Sequence, residues 1–73
     1  MAYIIYSESE FMGADGPIHK GDEINTIHGD KEDEQEIRQW LIQQYVLDGI
    51  DISYRLSGTD MKKKITYRNV VED

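Results

Sequence analysis

The chain contains no cysteine among its 73 residues, so a disulfide framework is excluded. A small domain without disulfides or a metal depends on a compact core, on a partner or on self-association. A chain of this length buries only about 60% of the surface that its unfolded form exposes. We therefore predict that residues 1–73 form a single domain with a thin core.

Long apolar runs are also missing. No stretch approaches the roughly 18 apolar residues of a membrane span, and no basic segment followed by an apolar one opens the chain. The lack of cysteine fits a reducing compartment. We therefore expect a soluble protein of the host-cell cytoplasm that has no membrane partner.

Patterns that indicate catalysis or cofactor binding are absent as well. No phosphate-binding loop occurs, and neither Ser7 nor Ser9 lies in a glycine elbow. His19 and His28 lack the tightly spaced ligand pairs of a zinc motif. A chain this short also leaves little room for a closed pocket. The sequence predicts a protein that is not an enzyme and that has no cofactor and no metal site.

Basic residues are scarce. The chain has 8 lysines and arginines against 15 aspartates and glutamates, which gives a net charge of −7. Residues 1–54 are strongly acidic, whereas residues 55–73 carry a small excess of positive charge. A surface of this overall sign repels nucleic acids and anionic membranes and attracts basic clefts. We therefore expect no direct binding to DNA or RNA.

The first third of the chain predicts two strands joined by a long loop. Residues 3–6 form a short apolar run rich in strand formers. Residues 7–22 contain several glycines and a proline, which predicts a loop, and loops of this length are often functional or disordered. Residues 23–28 alternate weakly and predict a short second strand.

Residues 31–48 are predicted to form the single long helix. Asp30 is placed to cap it, and Gly49 stands where a left-handed terminating residue belongs. The apolar side chains cover more of the helix than one packed stripe needs. Ile42 and Val46 are predicted to point partly away from the sheet, where the loop, a second copy or a partner would cover them. The residues predicted to face the sheet are Ile37, Trp40, Leu41 and Leu47.

The C-terminal third predicts an antiparallel hairpin. Residues 50–56 alternate, residues 57–60 form the turn, and the return strand runs over residues 61–71. Its inner face is predicted to hold Met61, Ile65, Tyr67 and Val71. Its outer face is basic, which either protects the sheet edge or forms a second contact surface; these basic residues are Arg55, Lys62, Lys64 and Arg68. The predicted fold is α+β, a small antiparallel sheet of three to four strands with one helix packed across it, in the order β(β)αββ.

Seven of the fifteen carboxylates lie between Asp22 and Glu36. One interpretation is a solubilising helix start that matches the helix dipole. A second is nucleic-acid mimicry, because carboxylates one turn apart, such as Glu32 and Glu36, are separated by about 6 Å. That distance is about two phosphate spacings along a DNA strand. A third is calcium binding, although residues 30–41 lack the ligand pattern of an EF-hand loop.

The leading hypothesis is a non-catalytic inhibitor that docks this acidic patch onto the basic cleft of a host protein that handles DNA or RNA. The alternative is a structural or interaction module, either a homodimer that buries Ile42 and Val46 or an accessory subunit of a larger assembly. An apolar anchor would be supplied by Phe11 and Met12 on the glycine-flanked loop. The predicted electrostatic contacts are Asp22, Glu23, Asp30, Glu32, Asp33 and Glu36.

Two short segments resemble known families of small acidic phage proteins. Residues 54–60 (YRLSGTD), between a helix and a second strand, resemble the first hairpin of an anti-CRISPR family that imitates the DNA motif read by a type II CRISPR nuclease. Residues 44–53 (QYVLDGIDIS) are similar to the helix exit and following strand of a phage inhibitor of bacterial RNA polymerase. The chain lacks the acidic C-terminal helices of the first family. What both resemblances imply is an acidic protein that obstructs a host nucleic-acid machine.

Overall fold

The computed structural model describes residues 2–28 and 34–71. The strands are β1 (Ala2–Ser7), β2 (Phe11–Gly13), β3 (Gly16–Ile18), β4 (Glu23–His28), β5 (Ile52–Leu56) and β6 (Lys63–Ile65). The helices are α1 (Glu34–Gln44) and α2 (Tyr67–Val71), with a single 3₁₀ turn, Val46–Asp48, after α1. None of the described helices has the length and apolar character that crossing a membrane requires.

Four strands form one antiparallel sheet in the order β4-β1-β5-β6, and β2 pairs with β3 in a small separate sheet. The central strand β1 alternates, since Tyr3, Ile5 and Ser7 are buried while the residues between them are partly exposed. α1 packs across one face through Ile37 and Leu41, which are both fully buried. The predicted α+β fold, a small antiparallel sheet with one helix across it, is confirmed.

The core lies between α1 and the inner face of the sheet. On β5, Tyr54 is paired with Ile5, and Ile52 with Ser7 and with Ile65 of β6. All of these side chains are buried. At about 25 cal/mol per Å² of apolar surface, these few side chains supply most of the hydrophobic stabilisation. The buried apolar residues are Tyr3, Ile5, Ile37, Leu41, Val46, Ile52, Tyr54 and Ile65.

The long helix ends where the sequence predicts, although its last turn is of a different type. Gly49 has a φ of 86°, and its backbone N–H donates to the carbonyl of Val46. Left-handed backbone of this kind is what favours glycine at a helix end. The predicted start, Asp30 and residues 31–33, lies outside the described residues.

The 3₁₀ turn changes which side chains face the sheet. Each residue rotates the chain by about 120° in a 3₁₀ turn and by about 100° in an α-helix. Val46 is therefore fully buried, whereas Leu47 is 53% exposed. The predictions that Val46 points away from the core and that Leu47 faces the sheet are both wrong, because they assumed one uniform α-helix. Ile42 is partly buried and packs against the core.

The segment predicted as a long loop contains a hairpin. β2 and β3 pair Phe11 with Ile18 and Met12 with Pro17, around a turn at Ala14 and Asp15. Gly16 has a φ of 125°, which other residues rarely adopt. The glycines interpreted as strand breakers therefore allow the tight turn between two short strands.

The return strand of the C-terminal hairpin is shorter than predicted, because residues 67–71 form α2. The Asn69 side chain accepts from the Thr66 backbone N–H at 3.2 Å, and the Thr66 hydroxyl accepts from the Asn69 backbone N–H at 3.1 Å. This reciprocal pair is a capping box that starts a helix. Tyr67 and Val71 are consequently about half-exposed, and Met61 is 75% exposed, so of the predicted inner-face residues only Ile65 is fully buried.

Candidate functional site

The predicted acidic contact residues that the structure describes lie on two separate elements. Asp22 precedes β4 and Glu23 begins it, and both are exposed. Glu36, also exposed, lies in the first turn of α1. Asp30, Glu32 and Asp33 lie outside the described residues.

The first turn of α1 contacts a part of the sheet away from β4. Glu34 accepts hydrogen bonds from Tyr54 of β5 and from Lys63 of β6, and β6 and β4 are the two edge strands of the sheet. The described carboxylates at the start of β4 and in the first turn of α1 therefore lie on separate elements.

Asp22 and Glu23 also have local structural contacts. The Asp22 carboxylate accepts from the backbone N–H of His19 at 2.9 Å and lies 3.7 Å from its imidazole Nδ1. The Glu23 carboxylate accepts from the Thr26 hydroxyl at 3.2 Å. Both carboxylates are exposed, so these bonds position them without removing them from solvent.

The predicted apolar anchor lies on the β2–β3 hairpin. Met12 is 75% exposed, whereas Phe11 is partly buried. Glu10 precedes the hairpin and Asp15 lies in its turn, and both are exposed. The hairpin therefore presents an apolar side chain between two carboxylates.

A network around Glu34 joins α1 to β5 and β6. The Tyr54 hydroxyl donates to the Glu34 carboxylate at 3.0 Å, and the Lys63 ammonium donates to the same oxygen. Lys63 pairs with Tyr54 across the two strands. The network therefore fixes the start of α1 against the edge of the sheet.

The opposite charges of Glu34 and Lys63 stabilise the ionised form of each other. Hydrogen bonds from Lys63 and then from Tyr54 lower the pKa of Glu34 below its ordinary value of 4.5. The same carboxylate raises the pKa of Lys63. Burial is the main cause that raises the pKa of Tyr54. A carboxylate held ionised and a tyrosine held neutral suit a structural ion pair better than acid–base catalysis near pH 7.

A pocket of about 230 Å³ opens beside this network. Pockets that bind drug-sized ligands occupy about 300–1,000 Å³, so this one suits a single inserted side chain. Its apolar walls come from Tyr3, Tyr54, Leu56 and Met61, and its polar lining comes from Glu34, Arg55, Thr59 and Lys63.

On the face of the sheet opposite α1, two basic residues contact Tyr6. The Arg55 Nε donates to the Tyr6 hydroxyl at 2.8 Å, and the Lys62 ammonium lies 3.8 Å from the centre of the Tyr6 ring. Such cation–π contacts contribute about 0.5–1 kcal/mol at exposed sites. Nearby, Glu8 accepts from the buried Ser53 hydroxyl at 3.0 Å and lies 3.6 Å from Lys64. Arg55, Lys62 and Lys64 are therefore held by neighbours within the chain.

The contacts that the sequence did not reveal connect residues far apart in the chain. Glu34 is 29 residues from Lys63, and Glu8 is 45 residues from Ser53. Neither pair has a local pattern that would indicate it. Among residues 2–28 and 34–71, no three His, Asp or Glu side chains gather as metal ligands would.

Comparison of the chain with protein-family models, with curated proteins and with solved structures finds no match.

Proposed function

We propose that this protein is a non-catalytic, phage-encoded inhibitor that docks its acidic surface onto the basic cleft of a host protein that handles DNA or RNA. A CRISPR nuclease or another phage-defence enzyme is the class of target. The observation that carries the proposal is that Asp22, Glu23 and Glu36 are all exposed, on a chain with a net charge of −7.

Glu36 is the described carboxylate best suited to an external contact. It is exposed in the first turn of α1, and among the described residues it has no ion-pair partner. Glu34, two residues earlier, is by contrast engaged by Lys63 and Tyr54. Sequence spacing places Glu32 one helical turn from Glu36, which is the separation suited to a phosphate-binding groove.

The acidic residues at the start of β4 provide a second contact region in this proposal. Hydrogen bonds with His19 and Thr26 hold the side chains of Asp22 and Glu23. These two carboxylates are therefore already ordered before binding. Met12 would enter an apolar depression of the target, since anchors of this kind contribute most when they are fully desolvated.

The short resemblances of residues 44–53 and 54–60 to phage inhibitors support the same class. Catalysis is not part of the proposal, because Glu34, Tyr54 and Lys63 are engaged with one another.

The test uses two variants that change the net charge equally. Glu32→Lys with Glu36→Lys reverses the proposed contact surface, whereas Asp48→Lys with Asp60→Lys reverses exposed acids outside it. Tagged protein is used to capture partners from a bacterial lysate, and the captured protein is then challenged with duplex DNA. We expect the first variant to lose capture and the second to retain it, and we expect duplex DNA to release the captured protein.

Salt provides an independent check on the same material. Raising the ionic strength from about 0.1 M to about 1 M shortens the Debye length from about 10 Å to about 3 Å. Association steered by exposed charges should weaken strongly over this range. Equal capture by both charge variants, or capture that neither salt nor DNA affects, would show that the acidic surface is not the binding surface.

A small interaction module remains the second candidate function. Several large apolar side chains are exposed, which favours contact with another protein; they are Met12, Leu47, Met61, Tyr67 and Val71. Of the two residues predicted for a dimer interface, Val46 is enclosed by the core and Ile42 is only partly buried. Under this alternative, Ile42→Asp would abolish partner binding and the charge reversals would leave it intact.

A further inference from the structure

The two edge strands of the four-stranded sheet differ in how they are protected. In the described chain, β4 and β6 each pair with one neighbour only. β6 is three residues long and contains Lys63 and Lys64, with Lys62 directly before it. Short length and lysine are devices that keep a sheet edge from pairing with another chain. β4 has six residues and contains no lysine, arginine or proline.

Backbone hydrogen bonds fix the side to which each residue of β1 is directed. Successive residues of a strand direct their backbone groups to alternate sides. The Ser7 N–H donates at 2.8 Å to the carbonyl of Asp22, which precedes β4. The alternate residues Ile5 and Tyr3 therefore also direct their backbone groups toward β4.

The same alternation leaves outward-facing groups on β4. The partners of these two β1 residues are Asn25 and Ile27, whose backbone groups are directed inward. The backbone groups of Thr26 and His28 therefore point away from the sheet. In agreement, the Thr26 N–H donates to the side-chain oxygen of Asn25 at 2.8 Å and not to a strand.

Partly buried apolar side chains adjoin this edge on the side of α1. Ile24 and Ile27 of β4 pack against the core without being enclosed by it. Tyr45, directly after α1, is also partly buried, and its hydroxyl accepts from the Asn25 amide at 3.3 Å. Burial of such surface is favourable. The edge therefore presents outward backbone groups beside apolar surface that a neighbour could cover.

We propose that two copies of this chain pair β4 with β4 in antiparallel orientation, so that two four-stranded sheets become one continuous sheet. Outward backbone donors and acceptors fit the backbone of another extended strand. An antiparallel copy of the same edge presents matching groups at the matching spacing. The contact uses the same patch on both copies, so it closes at a dimer. The proposal does not rest on the inhibitor function.

The placement of charge on β4 favours a second copy as the occupant, although each chain carries a net charge of −7. The ionisable residues of β4, Glu23 and His28, are its first and last residues. In an antiparallel pair centred on Thr26, the two Glu23 residues are six residue spacings, or about 20 Å, apart. That distance exceeds the Debye length of about 8 Å. Each Glu23 lies instead toward His28 of the other copy, and Thr26 faces Thr26, a favourable cross-strand pair.

Pairing requires only a local exchange of hydrogen bonds. The Thr26 N–H would leave the Asn25 side chain and donate to a carbonyl of the second copy. The bulge between β1 and β4 lies at Ile24, so residues 25–28 form a regular edge. A contact of this size belongs to the small and weak class, and we therefore expect dimers at high protein concentration.

The test changes Thr26, whose backbone groups face outward and whose side chain is only partly buried. Thr26→Pro removes the outward N–H, a change that edge strands tolerate. Thr26→Lys places like charges opposite each other at the centre of the pair. Thr26→Ala is the matched control, because it removes the same side chain and keeps the N–H. Met61→Lys adds the same charge as Thr26→Lys, but before the other edge strand.

Sedimentation velocity over a concentration series measures association, and circular dichroism and thermal melting check folding. We expect the unmodified protein, Thr26→Ala and Met61→Lys to dimerise within about threefold of one another, and Thr26→Pro and Thr26→Lys to dimerise at least about tenfold more weakly. Equal dimerisation by Thr26→Lys and Met61→Lys would overturn the proposal. So would a protein that stays monomeric at every concentration or that grows beyond a dimer.

Amide hydrogen exchange locates the contact. As the protein concentration rises, the amides of Thr26 and His28 should exchange more slowly, whereas that of Lys64 on the other edge should not change. Protection that appears at Lys64 and not at Thr26 would contradict the proposal. Protection of Thr26 that appears only when another protein is added would also contradict it, because the edge would then bind a foreign strand.

Discussion

The two hairpins of this protein are both antiparallel strand pairs, but they differ in how deeply they are buried. In β5–β6, the side chains of Ile52, Tyr54 and Ile65 are all buried in the core. In β2–β3, no residue is fully buried, and Met12 is exposed. A hairpin that shares the core cannot change without unfolding the protein. A hairpin outside the core can change its surface residues to suit a partner without loss of the fold. We therefore propose partner contacts for β2–β3.

The contrast between the two hairpins requires that β5–β6 be needed for folding. Ile65→Ala removes a fully buried side chain and should lower the free energy of unfolding by about 2–5 kcal/mol. In so thin a core, that is a large share of the total stability. Urea denaturation measures the change. A loss below about 1 kcal/mol would mean that β6 contributes little to the core.

The ion pair at the start of α1 should make stability depend on pH. The pKa of Glu34 in the folded state lies below its ordinary value of 4.5 because of Lys63 and Tyr54. The ionised Glu34 carboxylate therefore stabilises the fold at pH values above its ordinary pKa. This stabilisation is lost as the pH falls through the folded-state pKa. Glu34→Gln should be less stable than the unmodified protein near neutral pH, and the gap should narrow in acid.

Urea midpoints at a series of pH values measure that gap. Glu36→Gln is the matched control, because this carboxylate is exposed in the same helical turn and its removal should alter stability little at any pH. A gap for Glu34→Gln that stays constant with pH would contradict the assigned ion pair.

A smaller effect is expected for Phe11→Ala in the other hairpin. Phe11 is only partly buried, so we expect a loss of about 1 kcal/mol, the typical value for a point mutation. Hydrogen exchange should show the amides of β2 and β3 opening more readily than those of β5, because local stability follows buried contact. Equal protection in the two hairpins would remove the distinction between them.

The smallest effect on stability is expected for Met12→Ser. Its side chain is 75% exposed, so the free energy of unfolding should change by less than about 0.5 kcal/mol. Capture of the target should nevertheless weaken. A variant with unchanged binding would leave the hairpin without the role assigned to it.

The sheet and helix could be predicted from sequence where the pattern is local. The apolar run of residues 3–6, the alternation of residues 50–56 and the glycine at position 49 each indicate a local structural element. Val46 and Leu47 were misplaced because a helix can change its pitch within one turn, and periodicity alone does not reveal that change. The capping box at Thr66 and Asn69 was a local signal that the strand prediction overlooked.

The candidate site could be predicted only in part, for a different reason. Composition shows that the chain is acidic, whereas the placement of Asp22 beside β4 and of Glu36 on α1 follows from the fold. Glu34 would have been counted with its acidic neighbours, yet Lys63 and Tyr54 engage it through contacts distant in sequence. Charge counts alone do not distinguish carboxylates that hold the fold from those that face a partner.

Competition with DNA tests the proposed mimicry most directly. A fluorescent duplex is bound to the captured target, and the protein is added while fluorescence anisotropy is followed. The account predicts that the protein displaces the duplex fully, that displacement requires more protein as salt rises, and that Glu32→Lys with Glu36→Lys fails to displace it. A target that binds the duplex and this protein at the same time would contradict the account.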